Sequence, residues 1–409
     1  MALIDSPRQI GKMRGTFSGR RSLSSLDQFA AETLESLEAA TLRRRVTVSR
    51  RKPDGSVDRE GRSLISFCCN DYLGLSQHSK VIDAAHKALD EYGAGAGAAP
   101  LVTGTHPLLR ELETRLARFK GTEDAVVFGS GYLANVGIIP ALMSADDLIL
   151  ADELSHICLL SGTWLSRADF VRFRHNDIEH VRALLAERRA NHKHCLIVTE
   201  SVFSMDGDQA PLADLSVLAA EYDAWLMVDD AHGLGVINGG KGGGYRADGS
   251  AIPIDLRMGP LSKAIGGYGG YVCAGQSVVD LIRNHARSYI YTTCLPPSVI
   301  AGDIAALDLI ENDKTLCARP MMLARQFTDA LGLPEPESCI VPIVVGAETT
   351  ALDAARALAE KGFQITAMRP PTVPKGTSRL RITFTAMHRE EDVARLAEAV
   401  KGLGILKRM

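Results

Sequence analysis

"AWLMVDDAHGLG", residues 224–235, carries the reading of the fold. Trp225 to Val228 are apolar, and the run stops at two aspartates, followed within five residues by a histidine and two glycines. A short apolar run with such a boundary reads as a strand buried on both faces. Open α/β sheets gather their ligands at the carboxyl ends of strands, where Asp229 and His232 fall. On these residues alone, a metal site and an aspartate capping the next helix both stay open.

The same pattern recurs on either side. "DAVVFGSG", "DLILAD", "FVRFRHND", "HCLIVTES", "DLRMGPLSK" and "GGYVCAG" are further apolar runs separated by helical stretches. Such alternation predicts an α/β domain built on a mainly parallel sheet with helices on both faces. After "YTTCLPPS" the pattern changes to a long helix over about 298–331, then "CIVPIVVG", "GFQITAMRPP" and "SRLRITFTA", with a closing helix. The expected organisation is an N-terminal helix and hairpin (1–64), a large domain (65–297) and a smaller α+β domain (298–409). Within the first segment, residues 26–45 have the spacing of an amphipathic helix, and "PDG" at 53–55 marks a turn.

Composition narrows the function classes. The 409 residues carry 46 Lys and Arg against 49 Asp and Glu, a net charge of -3, so no basic field suggests nucleic acid. The eight cysteines include no C-x-x-C pair and fall mostly in apolar runs, as buried thiols do in a reducing compartment. No apolar stretch reaches membrane-spanning length, and the basic N-terminus lacks the apolar segment of a secretory leader. A cytoplasmic enzyme is therefore expected.

The remaining strand ends carry chemistry. Gly129, Ser130 and Gly131 precede a helix, so backbone N–H groups there can hold a phosphate, although such a turn is often only a turn. The stretch lacks the Walker lysine, and "GGKGGGYRADG" matches neither Walker nor Rossmann spacing, so it reads as a flexible surface loop and a nicotinamide site is poorly supported. His156 follows one strand, and Ser204 and Asp206 follow another. Lys263 stands in "GPLSKAIGGYGGYV" (259–272), otherwise without charge, where a buried amine needs a reason. An amine, a carboxylate, two imidazoles and a phosphate-type turn together are what pyridoxal 5'-phosphate requires. No metal is implied.

"FCCNDYLGLS", "LVTGTHPLLRELE", "VFGSGYLAN", "FRHNDIEH", "VFSMDGDQAPL", "DDAHGLGV", "LSKAIGGYGGY", "YTTCLPP" and "RPPTVPKGTSRLRITFTAMH" resemble, in this order, the α-oxoamine synthases. The resemblance runs from about residue 26 to the C-terminus. It implies a fold-type I transferase with a seven-stranded sheet, pyridoxal phosphate, an amino acid and an acyl thioester (carried on CoA or acyl carrier protein) as substrates, and a homodimer with its active sites at the interface. "RPPTVPKGTSRLRIT" is most similar to the members that join L-alanine to a pimeloyl thioester in biotin synthesis. Siblings using glycine or serine with another acyl group, and catalytically inactive partner subunits, are the alternatives.

Residue by residue, the resemblance implies that Lys263 forms the Schiff base, Asp229 pairs with the pyridine nitrogen, and His232 meets the ring phenolate. His156 stacks on the ring with Ser204 beside it. Gly131, Tyr132 and Ser262 belong to the phosphate region, and Thr292 and Thr293 reach the cofactor phosphate of the partner subunit. Arg381 anchors the amino-acid carboxylate, while Arg43, Arg369 and Thr372 fall where acyl contacts are expected.

Overall fold

The computed structural model describes residues 24–246 and 248–406. Two compact units are present, residues 1–47 and 48–409. In the first, a helix spans Ser25–Ala39, capped by Ser24 and Asp27 in a reciprocal capping box, and none of its residues is buried. It stops well short of the expected residue 45.

Among the described residues the second unit holds fourteen strands. The hairpin region is a three-stranded meander, β1 (Ser49–Arg51), β2 (Ser56–Arg59) and β3 (Arg62–Ser66). Then come β4 (Asp124–Phe128), β5 (Leu148–Asp152), β6 (Asp169–Phe173), β7 (Cys195–Glu200), β8 (Trp225–Asp229), β9 (Leu256–Pro260) and β10 (Gly270–Ala274). These seven form one sheet in the order β4-β10-β9-β8-β7-β5-β6. β10 runs antiparallel to both neighbours and the other pairings are parallel. The mainly parallel seven-stranded sheet expected of the large domain is thus present, with one reversed strand. The chain continues through β11 (Ile340–Gly346), β12 (Phe363–Gln364), β13 (Thr366–Met368) and β14 (Ser378–Thr383); β11, β14 and β13 make a small sheet.

Side chains alternate across the large sheet as the pleat requires. Val126, Ile149, Leu196 and Met258 pack into one apolar cluster, and Leu148, Ile197 and Leu226 into another. A third runs from Val127 and Tyr271 to Leu380 and Ile382 of the small sheet. β3 pairs in parallel with β12, Ile65 against Phe363, which binds the meander to C-terminal residues.

Two expectations are corrected. The helix expected over 298–331 is two helices, Pro297–Asn312 and Lys314–Leu331. Asp313 separates them because its carboxylate accepts the Leu316 N–H and starts a new helix. The glycine stretch at 240–244 is not a surface loop: Gly240, Gly242, Gly243 and Gly244 are buried. It wraps the carboxylate of Asp230, and a Cβ on Gly242 would lie 1.8 Å from Asp230 Oδ2. Glycine is needed there for close approach as well as for its φ of 91°.

Candidate active site

β7, β8 and β9 end side by side, with Glu200 paired to Asp229 and Asp229 to Met258. This register sets two carboxyl groups next to each other inside the protein, each almost fully buried. Asp229 Oδ2 accepts from Asn135 Nδ2 at 3.0 Å and Oδ1 from the Ala231 N–H at 3.0 Å. Burial, eased in part by Lys263 and Asn135, holds the Asp229 carboxyl above its ordinary range. Burial and the neighbouring Asp229 raise Glu200 in the same direction.

Lys263 lies just beyond β9, on the turn toward β10. Its Nζ is 2.8 Å from His232 Nε2, and His232 Nδ1 is 2.6 Å from the Tyr72 hydroxyl. Burial pushes the Lys263 amine below its usual pKa while Asp229 and Glu200 pull it back. Burial and the Lys263 charge keep His232 well below the normal imidazole value, so it is neutral. This neutral imidazole is able to accept a hydrogen bond from the amine.

His156 caps the helix Ile157–Ser166. Its backbone N–H donates to Glu200 Oε1 at 2.5 Å, and burial followed by the Lys263 charge lowers its pKa. Arg381, on β14, is buried and turned to the same region. Its Nη1 donates to Asn70 Oδ1 at 3.1 Å, its Nη2 to the Tyr72 hydroxyl at 3.4 Å, and its Nε to the Ser204 carbonyl.

Gly131 opens the helix Gly131–Leu142, and Ser130 caps it by accepting the Leu133 N–H. A Cβ on Gly131 would stand 3.0 Å from Pro260 Cβ, and one on Gly270 2.7 Å from the Gly131 Cα. The turn is therefore pressed between strand ends, with its N–H groups at a helix start. Tyr132 is exposed and donates to Ser161 Oγ at 3.2 Å. Thr292 and Thr293 line a small cleft with Gly129 of the same chain. Ser262 is exposed.

Thr372 and Ser204 line a cavity of about 40 Å³ with Leu154, Phe203 and Val373. The Thr372 N–H donates to the Arg369 carbonyl, so these two acyl-contact candidates share one turn. Arg43 belongs to the first unit, where it pairs with Glu38 at 3.4 Å.

The structure thus brings Lys263, His232, Asp229, His156, Ser204 and Arg381 together, and adds five residues without a role assigned from the sequence: Asn70, Tyr72, Asn135, Cys158 and Glu200. Asn70 and Tyr72 lie within "FCCNDYLGLS" and Asn135 within "VFGSGYLAN", so the motifs marked the place but not the contact. Among the described residues no group of three or more His, Cys, Asp or Glu side chains could hold a metal ion. An amine, a buried carboxyl and a glycine turn at a helix start fit a phosphorylated pyridine aldehyde instead.

The model of the aminotransferase class I and II family matches residues 62–400. The 8-amino-7-oxononanoate synthase of Methylocella silvestris is 60% identical over 84% of this chain and 98% of that enzyme. An enzyme of the same name from Methylorubrum extorquens is 56% identical over 92% of this chain and 96% of that enzyme. Among solved structures, S. paucimobilis serine palmitoyltransferase with a bound PLP–myriocin aldimine superposes with a TM-score of 0.85, at 30% identity, over 94% of this chain and 98% of that one. With one strand-end site and relatives matched along nearly their whole length, the chain belongs to the class I and II aminotransferase family and, within it, to the α-oxoamine synthases.

Proposed function

We propose that the protein is a pyridoxal phosphate enzyme that condenses L-alanine with a pimeloyl thioester, with loss of carbon dioxide, to give 8-amino-7-oxononanoate. The observation that carries this reading is the Lys263–His232–Tyr72 chain beside buried Asp229, in a protein 56–60% identical to enzymes of that name.

Lys263 would hold the cofactor through its amine, Asp229 its pyridine nitrogen and His232 its phenolate oxygen. His156 and Ser204 would flank the ring, and Gly131, Tyr132 and Ser262 would hold its phosphate. When bound, pyridoxal phosphate supplies an electron sink for negative charge at the amino-acid α-carbon. The protein residues do the rest. Arg381, steadied by Asn70 and Ser204, binds the amino-acid carboxylate through charge-assisted hydrogen bonds. Burial keeps the Lys263 amine ready to be neutral, so its Nζ takes the α-proton, with His232 Nε2 beside it as a hydrogen-bond partner. His156, just beyond the carboxyl end of β5, helps the reprotonation that precedes product release.

Thr372 and Arg369, on the turn beside the Ser204 cavity, and Arg43 would recognise the far carboxylate of the acyl chain. Thr292 and Thr293 would serve the partner site of a homodimer in the cytoplasm. No helix among the described residues is long and apolar enough to cross a membrane.

A thioester panel tests the reading. L-alanine with pimeloyl-CoA or pimeloyl carrier protein should give the highest kcat/KM. Arg369→Ala should lower efficiency with pimeloyl thioester more than with a plain acyl chain of equal length. Serine with palmitoyl thioester, or glycine with succinyl thioester, as the best pair would overturn the named reaction.

A further inference from the structure

We propose that Cys158 is a positioning residue that fixes His156 in the Nε2–H form and ties it, through Asn135, to Asp229. The inference rests on the reading of this site given above and adds a residue to it.

The hydrogen atoms can be counted. The Cys158 backbone N–H lies 3.3 Å from His156 Nδ1, and a backbone N–H can only donate. Nδ1 is therefore the unprotonated ring nitrogen, and in the neutral imidazole the proton sits on Nε2. The Cys158 Sγ is 2.8 Å from the same Nδ1, so the thiol also donates to that lone pair. Burial, with Asp229 adding to it, pushes the thiol up to about 12, which leaves its proton in place for that purpose. The sulfur then accepts from Asn135 Nδ2 at 3.1 Å, while the other hydrogen of that amide goes to Asp229 Oδ2 at 3.0 Å. Both hydrogens of the amide and the single hydrogen of the thiol are used. Cys158 is 5% exposed, so no water competes for the sulfur.

In the chain Asp229–Asn135–Cys158–His156, the Asn135 amide donates both ways, to Asp229 and to the Cys158 sulfur, and the thiol donates on to His156. This leaves His156 with a donor, not an acceptor, on its Nε2 edge. That form can donate a hydrogen bond from Nε2, and it is set by the residue two positions along the same helix start.

The test is nitrogen NMR of the holoenzyme with ¹⁵N-labelled histidine, the His156 signals being identified by their loss in His156→Gln. Wild type should show a protonated Nε2 and an unprotonated Nδ1. Cys158→Ala keeps only the longer backbone contact to Nδ1, so some of the Nδ1–H form should appear, with kcat reduced about three- to tenfold, the size of one net hydrogen bond, and KM for alanine nearly unchanged. Cys158→Ser, whose hydroxyl can donate in the same way, should restore both the single form and the rate. A protonated Nδ1 in wild type, or Cys158→Ala with one unchanged form and full kcat, would overturn the inference. These signals do not depend on the acyl substrate. A failed thioester panel with the Nε2–H form intact would therefore remove the named reaction and leave the role of Cys158 standing.

Discussion

Asp229 and Asp230 are adjacent, chemically identical and each 4% exposed, yet they meet opposite fates. Asp230 is saturated. Its Oδ1 accepts from Ser201 Oγ at 2.6 Å and from the Gly243 N–H at 2.9 Å, and its Oδ2 faces Lys120 Nζ at 2.6 Å. Lys120, itself 2% exposed, also donates to the Lys241 carbonyl. Across the strand end, Asp229 receives one amide and one backbone N–H, and Lys263 meets a neutral imidazole instead of a carboxylate. A buried ion pair with both carboxylate oxygens matched is a fastener. A buried amine and a buried carboxyl held apart are reagents, with pKa values displaced toward the uncharged forms.

The largest expected effect breaks the reagent half. Borohydride should attach the cofactor to Lys263 in the wild type, and peptide mapping of Lys263→Ala should find no such adduct. Activity should fall by about 10²–10⁴, the range for losing a general base. An adduct and full activity in the variant would erase the distinction between the two lysines.

A second pair of variants sets the halves against each other. Lys120→Met strands the Asp230 charge and should lower the unfolding free energy by about 3–5 kcal/mol in urea titrations, with catalysis per folded molecule retained. Asp229→Asn should keep the unfolding midpoint near that of wild type and lose most turnover. Should the two variants exchange these phenotypes, Asp230 would be the catalytic acid.

The smallest effect tests a pairing intermediate between these two. His175 Nδ1 lies 2.9 Å from Asp152 and Nε2 2.7 Å from Asp208. Burial works against its charge, but the two carboxylates outweigh it and bring the imidazole pKa to about 10. The folded pKa exceeds the unfolded one, so this stabilisation is complete below about pH 6.5 and disappears as pH rises toward about 10. The side chain is 22% exposed, and solvent screening reduces the contribution to about 1–2 kcal/mol. Subtracting the pH–stability curve of His175→Gln from that of wild type should give this slope; a flat difference would remove the charge from His175.

The strand ends were legible because each is local: an apolar run stopped by Asp229, His156 or Ser204 states its own boundary, and Lys263 announces itself by lacking charged neighbours. The alternation of those runs likewise carried the large sheet, apart from the reversed direction of β10. What escaped was set by distance or by packing. Asn70 and Tyr72 gain their meaning from Arg381, which no local pattern links to them. Gly242 and Gly243 look like surface glycines until the Asp230 carboxylate occupies the place of a side chain. The break at Asp313 escaped because apolar spacing continues across it and only the capping bond to Leu316 interrupts the helix.

Arg381 and Asn70 are 311 residues apart in the chain, and the strand bearing Ile65, paired with β2 on one edge, waits for Phe363 on the other. Measured in time rather than distance, at roughly 5–20 residues per second the ribosome needs about 15–60 s to deliver these partners. During that interval one edge of β3 stays open and Asn70 lacks its Arg381 partner. The protein thus becomes an enzyme only when its last segment has been made, and a chain interrupted before β14 is not a slower catalyst but an unfinished site.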